Sequence, residues 1–149
     1  MRPTFDFQGN PVRAAGVLVT CGGYTLWRRV KGRYEDVGGK TDRKDACALD
    51  TAVREAVEET NGKLFHPDHT MLQCADALRA LLKQCGTYYN ARAKYLCFVV
   101  EVPRHVRTLP MTRFGHFEHT DQMRHYYAWK SFTPLNVHPR LFTYRPRQR

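Results

Sequence analysis

Three glutamates close together in the chain are its first candidates for chemistry. Glu55, Glu58 and Glu59 are spaced i, i+3 and i+4, so a helix would place them on one face. Near the carboxyl end of a helix, each exposed acid is unfavourable by about 0.3–1 kcal/mol, because the helix dipole is negative there. One arginine, Arg54, cannot neutralise the cluster. Because Mg²⁺ prefers carboxylate oxygens, these acids form either a metal site or a solvated, charged helix face.

The helix that would carry these acids is indicated by its apolar residues. From Leu49 to Val57 they recur at i, i+3, i+4, i+7 and i+8, which is the spacing of an amphipathic helix. Asp45 is suited to cap its amino end, and Asn61 with Gly62 can adopt the left-handed conformation that ends a helix. We therefore predict one helix that begins at Asp45 and ends before Asn61.

The region from Gly39 to Gly62 resembles the Nudix box. The family pattern is G, five residues, E, seven residues and then R-E-U-x-E-E-x-G-U, in which U is a bulky aliphatic residue. The hexapeptide REAVEE, which begins at Arg54, matches the core of this pattern. Asp45 replaces the first glutamate, eight residues rather than seven separate it from Arg54, and Asn61 stands where the last glycine is expected. The extra residue lengthens the loop before the helix and leaves open whether Asp45 still reaches Arg54.

The resemblance implies a fold, a reaction and a site. The fold would be α/β, a Nudix-type α/β/α sandwich with a mixed central sheet, formed as a single domain by residues 1–149. The reaction would be hydrolysis of a diphosphate bond in a nucleoside diphosphate linked to another group, or in a similar, highly anionic substrate. Arg54 would orient the glutamates. The family's Mg²⁺ or Mn²⁺ would be held by Glu55, Glu58, Glu59 and the carbonyl of Gly38.

The resemblance also points to a further acid, in a loop before a late strand. Glu118 fits this place best, as a metal ligand or general base, with Asp121 and Glu101 as alternatives. Either Glu55 or Glu118 would then accept the proton of the attacking water.

Basic residues near the box are candidate phosphate ligands. Arg28 and Arg29 end a strand that lines the substrate cleft in the family, and alternation along a strand would turn only one of them inward. A basic, solvent-facing turn is the alternative for both. Lys40, in the glycine loop, would contact a phosphate or remain in solvent.

The remaining chain alternates between strand and helix patterns. Residues 1–12 read as an extended lead-in and 103–117 as a long loop rich in proline and arginine. The apolar run 95–102 predicts a strand buried on both faces. The other predicted elements are a hairpin of residues 13–21 and 24–28, a short strand at 63–65, a helix at 71–85, a strand at 126–129, a closing helix or loop at 136–141 and a basic, mobile tail at 143–149.

Composition and charge narrow the functional classes. The chain has 149 residues and a formal net charge of +10, which attracts polyanions. Two alternative functions follow: cap hydrolysis on mRNA or hydrolysis of diphosphoinositol polyphosphates, and a catalytically silent Nudix module that binds nucleotide or RNA. A basic protein without a specific polyanionic ligand is the simplest alternative, and no oligomeric state is indicated.

The cysteines and the hydropathy of the sequence indicate the cellular compartment in which the protein is expected. The five cysteines lack paired or metal-ligand spacing, so we expect reduced thiols, most of them in the core. There is no apolar run of membrane-spanning length, and the amino-terminal residues lack the apolar core of a signal peptide. We therefore expect a cytoplasmic or nuclear protein without membrane contact.

Overall fold

A seven-stranded sheet of mixed orientation forms the centre of the fold. The computed structural model describes residues 1–114 and 127–141. Strand β3 (Ala14–Cys21) pairs in parallel with β8 (Tyr95–Glu101), which pairs antiparallel with β7 (Gly86–Asn90). A separate hairpin of β1 (Phe5–Phe7) and β2 (Asn10–Val12) occupies the stretch that was predicted as an extended lead-in.

The other edge of β3 is shared by two strands. Near its end, β3 pairs with β4 (Tyr24–Val30) through only two residue pairs, and near its start it pairs with β6 (Val37–Lys40). β4 continues away from β3 and pairs with β5 (Arg33–Glu35) on one side and β9 (Tyr127–Lys130) on the other. The sheet therefore divides between β4 and β6.

Within the described residues, three helices accompany the sheet: α1 (Ala48–Glu59), α2 (Met71–Leu82) and α3 (Arg104–Thr108). Helix α1 packs on β3 and β6, and α2 packs on α1 and β8. Alternate residues of the central strands point to the two faces. The helical face buries Ala15, Val17, Val19, Leu96, Phe98 and Val100. The opposite face buries Leu18, Trp27, Tyr95, Cys97 and Leu141.

Several sequence predictions are confirmed. The β3–β4 hairpin, α2, β8 and β9 occur at the expected places, and β8 is buried on both faces. The chain forms a mixed α/β fold, as expected. All five cysteines are free, and three of them are buried, namely Cys21, Cys74 and Cys97. Of the helices in residues 1–114 and 127–141, none has the length and apolar character needed to cross a lipid bilayer.

Other predictions are wrong for identifiable reasons. Residues 63–65 form no strand, because the carbonyls of Lys63 and Leu64 accept hydrogen bonds from the guanidinium of Arg113 rather than from a neighbouring strand. The stretch 103–114 is not a plain loop: it contains α3 and a 3₁₀ turn at Met111–Phe114, which bury Val106 and Phe114. Two predictions near the carboxyl end are not contradicted. The closing helix or loop is a loop that contains a short 3₁₀ turn, Pro139–Leu141, and the tail, residues 143–149, lies outside the described residues and stays a prediction.

The start of α1 also differs from the prediction. Its N-cap is Cys47, whose side chain makes no capping hydrogen bond, and not Asp45. Asp45 instead accepts a hydrogen bond from Thr51 in the first turns of the helix. The helix ends as predicted, because Asn61 and Gly62 have φ values of 57° and 68°, in the left-handed region.

Candidate active site

Glu59, the last residue of α1, lies in the division between β4 and β6. Its Oε2 accepts a hydrogen bond from Nη1 of Arg28 on β4 at 3.0 Å. Its Oε1 accepts one from the backbone N–H of Gly38 on β6 at 2.9 Å. The hydroxyl of Tyr127 on β9 donates to the Glu59 carbonyl. Side chains and backbone from three strands therefore hold the end of this helix in place.

Arg28 is the basic residue that points to this site. Its Nη1 also lies 3.3 Å from Oε1 of Glu35, so one nitrogen serves two carboxylates. Its Nε is buried and has no hydrogen-bond partner among the described residues. Arg29, the next residue along β4, is exposed and points to the other face of the sheet. The alternation of side chains along β4 therefore turns Arg28, and not Arg29, towards Glu59.

The glycine loop approaches the helix closely at Glu55. A Cβ added to Gly39 would overlap the Glu55 carboxylate, and a Cβ added to Gly38 would lie 2.7 Å from the Cα of Gly16 on β3. Only glycine lets the backbone pass at these distances. Lys40 follows in the same strand and has an exposed side chain.

The three glutamates differ in burial. The side chain of Glu59 is 12% exposed, that of Glu55 is 19% exposed and that of Glu58 is 48% exposed. Oε1 of Glu55 and Oε1 of Glu58 each lie 3.6 Å from Nη1 of Arg54. The three acids therefore lie in a row that runs from Glu59, the most buried of them, to the exposed Glu58. Arg54 lies beside Glu55 and Glu58.

Arg54 is fixed by Asp45, despite the longer loop. Its Nε and Nη2 donate to the two carboxylate oxygens of Asp45 at 2.9 and 3.0 Å, and Nη2 also donates to the Lys40 carbonyl at 2.9 Å. Burial acts to raise the pKa of Asp45, but hydrogen bonds from Arg54 and Thr51 outweigh it, so this pKa is lowered. The ion pair between Asp45 and Arg54, which the sequence left open, is therefore present.

Burial raises the pKa values of the two inner acids of the site, Glu55 and Glu59. The pKa of Glu59 is raised to about 8. Arg28 acts in the opposite direction on Glu59, but its charge is shared with Glu35. A divalent cation that used Glu59 would have to displace the proton of its carboxyl group, since a coordinating carboxylate must be ionised.

The carboxylates of the three glutamates and the carbonyl of Gly38 are oxygen ligands of the kind that Mg²⁺ and Mn²⁺ prefer. Within residues 1–114 and 127–141, no group of three or more acidic, histidine or cysteine side chains is arranged to hold a metal ion. At Glu59, both carboxylate oxygens accept hydrogen bonds, one from Arg28 and one from the backbone N–H of Gly38. The Oε1 atoms of Glu55 and Glu58 each make a longer contact of 3.6 Å with Nη1 of Arg54.

Of the three additional acids predicted from the sequence, Glu101 is the one that the structure describes, and it lies away from this cluster. Glu118 and Asp121 lie outside the described part of the chain. Glu101 is at the far end of β8, where it accepts hydrogen bonds from the Thr20 hydroxyl and the Gly22 N–H. Gly38 is opposite Gly16, four residues before Thr20, so Glu101 lies roughly 13 Å along β3 from the glycine loop.

Sequence reasoning missed a buried cluster beside the site. Asp36 Oδ2 accepts hydrogen bonds from the Tyr95 hydroxyl at 2.5 Å and from the Cys97 thiol at 3.3 Å. Its Oδ1 accepts from Nε and Nη2 of Arg140 at 3.0 and 2.7 Å. The Arg140 guanidinium also lies over the Tyr95 ring, 4.6 Å from its centre. Asp36 lies between β5 and β6, next to other charged residues, so no sequence signal indicates that its carboxylate is buried.

This cluster is connected to Glu59 through charges of alternating sign. Nη2 of Arg140 lies 3.8 Å from Oε1 of Glu35, and Glu35 pairs with Arg28, which pairs with Glu59. The closing segment of the described chain thus supports the arginine that positions the innermost acid.

No family model matches this chain, and no curated protein matches it. The resemblance to the Nudix box therefore depends on the residues of the box itself and stays a prediction.

Proposed function

We propose that this chain is a metal-dependent pyrophosphohydrolase of the Nudix type, with the α/β/α sandwich of that family. The observation that carries the proposal is the arrangement around α1. Glu55, Glu58 and Glu59 lie in a row along the helix, and Gly38 and Gly39 pass beside this row without Cβ atoms. Three acids that repel one another are costly for folding alone, so a ligand is the better explanation for them.

The restored Asp45–Arg54 pair supports the same proposal. An arginine that is fixed on one side by a carboxylate and a carbonyl presents Nη1 to Glu55 and Glu58. This geometry suits a residue that orients other side chains better than it suits a solvated helix face, where the arginine would be free to move.

The residues can be given roles in the reaction. Glu55, Glu58, Glu59 and the Gly38 carbonyl would hold Mg²⁺ or Mn²⁺, which would supply charge neutralisation and Lewis-acid activation to the diphosphate and the attacking water. Glu55 has a pKa raised towards neutrality by burial, which suits a general base, and Glu118 is the alternative base. Arg54 orients the acids.

The cations of the site would bind the substrate. Arg28 retains a buried Nε without a hydrogen-bond partner among the described residues, on the same face as Glu59. Lys40 is exposed beside the glycine loop. Both would hold phosphate oxygens, and Arg29 would not contribute from its face of the sheet.

A substrate panel with two matched variants tests this function. Diphosphate compounds, including a sugar nucleotide, capped RNA and a diphosphoinositol polyphosphate, are incubated with Mg²⁺ or Mn²⁺ and the products are analysed. Glu58→Gln should abolish metal-dependent cleavage and leave the circular dichroism spectrum unchanged. Asp76→Asn, which alters an exposed acid on α2, is the control and should cleave normally. An unchanged rate in Glu58→Gln would refute the metal assignment.

Cap hydrolysis on mRNA is the second candidate, and the net charge of +10 favours it. Binding of RNA should weaken steeply as the logarithm of salt concentration rises, whereas a small nucleotide should respond less. A catalytically silent module that binds nucleotide or RNA would show binding in the same panel without product.

A further inference from the structure

Aromatic rings and cations form a continuous band on the sheet face that points away from Glu59. Arg29 and Tyr34 are opposite each other in β4 and β5, and the Arg29 guanidinium carbon lies 6.0 Å from the centre of the Tyr34 ring. Lys130 Nζ lies 5.3 Å from the centre of the Tyr34 ring and 5.4 Å from that of Phe132. We call these four residues the Tyr34–Phe132 surface.

This surface carries positive charge, and the acid of its strands, Glu35 in β5, lies opposite Arg28 and pairs with Arg28 and Arg140. Residues 24–34 and 127–138 contain five lysines and arginines and no aspartate or glutamate. Arg28 is paired with Glu59 on the other face. The remaining cations make no ion pair with any of the described residues; they are Arg29, Lys31, Arg33 and Lys130.

Of the two rings in this surface, Phe132 is exposed and Tyr34 is half-buried against the core, and the backbone beside them is held in place. Phe132 is 65% exposed, which is unusual for a large apolar side chain. Tyr34 donates its N–H to the Asn136 carbonyl at 2.6 Å and accepts from the His138 N–H at 2.8 Å. The segment that follows β9 and carries Phe132 is therefore hydrogen-bonded to β5. Because this backbone is already ordered, ligand binding costs little conformational entropy.

We propose that the Tyr34–Phe132 surface binds single-stranded RNA. A base would stack on the open face of Phe132, and the neighbouring phosphates would be held by Arg29 and Lys31. Proteins that bind single strands combine these two features, a stacking ring and a basic path for the backbone. An acidic peptide would use the cations but would gain little from an exposed ring backed by a lysine.

Residues 88–94 also combine tyrosines with cations, but they are less suited to binding RNA. The hydroxyls of Tyr88 and Tyr89 donate to the backbone carbonyls of Arg140 and Pro11, so both rings are fixed into the fold. The Tyr34–Phe132 surface goes beyond the proposed hydrolysis and uses none of its carboxylates, so binding can be measured separately from cleavage.

Fluorescence anisotropy of the full chain tests the stacking contact. The probe is a fluorescein-labelled, single-stranded RNA of about 12 nucleotides, within the usual site sizes, in buffer with EDTA. Phe132→Ala should weaken binding by about 5- to 150-fold, the loss of one stacked base. Phe132→Trp should restore binding. Leu135→Ala removes another exposed apolar side chain from the same segment and should leave the affinity unchanged.

The salt dependence tests the phosphate contacts. Lys31→Ala should reduce the slope of log K against log[salt] by about 0.7, the value for one contact with a single strand. Lys83→Ala, at an exposed lysine after α2, should leave the slope unchanged. The proposal is overturned if Phe132→Ala binds as tightly as Leu135→Ala, or if oligoglutamate competes as well as unlabelled RNA. Loss of cleavage in Glu58→Gln with unchanged RNA binding would support both proposals.

Discussion

Removal of Arg140 should destabilise the protein strongly, because it leaves Asp36 without its ion pair. The Asp36 side chain is fully buried, and Arg140 supplies two of its four side-chain hydrogen bonds. Tyr95 and Cys97 cannot replace the positive charge, because a phenol or a thiol is never a cation; burial raises the pKa of both, so they remain neutral donors. Arg140→Met would therefore strand a carboxylate in the interior.

The magnitude follows from the burial of both partners. Breaking a buried ion pair by removing one partner costs about 3–5 kcal/mol. For a domain of this length, 1 kcal/mol shifts the melting temperature by about 2–4 °C, so Arg140→Met should melt about 6–20 °C lower. Arg92→Met alters an exposed arginine in the β7–β8 turn and should change the unfolding free energy by less than about 0.5 kcal/mol.

Urea and thermal unfolding followed by circular dichroism measure this effect. The double variant Asp36→Asn with Arg140→Met removes both charges and should recover most of the lost stability, because no buried charge is left unpaired. A single variant as stable as the parent would show that residues 136–141 do not pack as described. A double variant no more stable than Arg140→Met would show that the loss comes from packing and not from charge.

Two further predictions concern the candidate site. Because the pKa of Glu59 is raised to about 8 in the folded protein, the folded state binds its proton more tightly than the unfolded state, where a glutamate titrates near its ordinary 4.5. In EDTA, the unfolding free energy should therefore fall as pH rises from 5 to 8, by at most about 1.4 kcal/mol per pH unit, and Glu59→Gln should flatten this dependence; equal slopes would contradict the raised pKa. Asp45→Asn should cost about 1.5–3 kcal/mol in urea melts, because Arg54 loses a charge-assisted double hydrogen bond, and should lower cleavage through the misplaced arginine. Stability and rate equal to the parent would show that Asp45 does not position Arg54.

Local patterns in the sequence were sufficient for much of the fold. The apolar spacing from Leu49 to Val57 determined α1 and the shared face of its glutamates, because helical neighbours are set by the 3.6-residue period. The continuous apolar run from Tyr95 determined a strand buried on both faces. Strand alternation also required that only one of Arg28 and Arg29 could face the site.

Local patterns failed where a distant residue supplied the missing partner. The stretch at Lys63 looked like a strand because it is apolar, but the guanidinium of Arg113, fifty residues away, satisfies its carbonyls. Aspartate is a residue type that favours the N-cap position, but the carboxylate of Asp45 accepts hydrogen bonds from Arg54, and the helix begins after Cys47. In both cases a tertiary contact replaced the local hydrogen bond that the pattern predicts.

The sequence by itself determined which residues form the candidate site, since the three glutamates and the glycine loop are close in the chain. Only the tertiary structure decided how the site is supported: Glu59 is held by Arg28, and Arg140 meets Asp36 across 104 residues of chain. The physical reason is that periodicity encodes contacts within a few residues, whereas ion pairs between distant segments depend on the path of the whole chain and on how deeply it buries each charge.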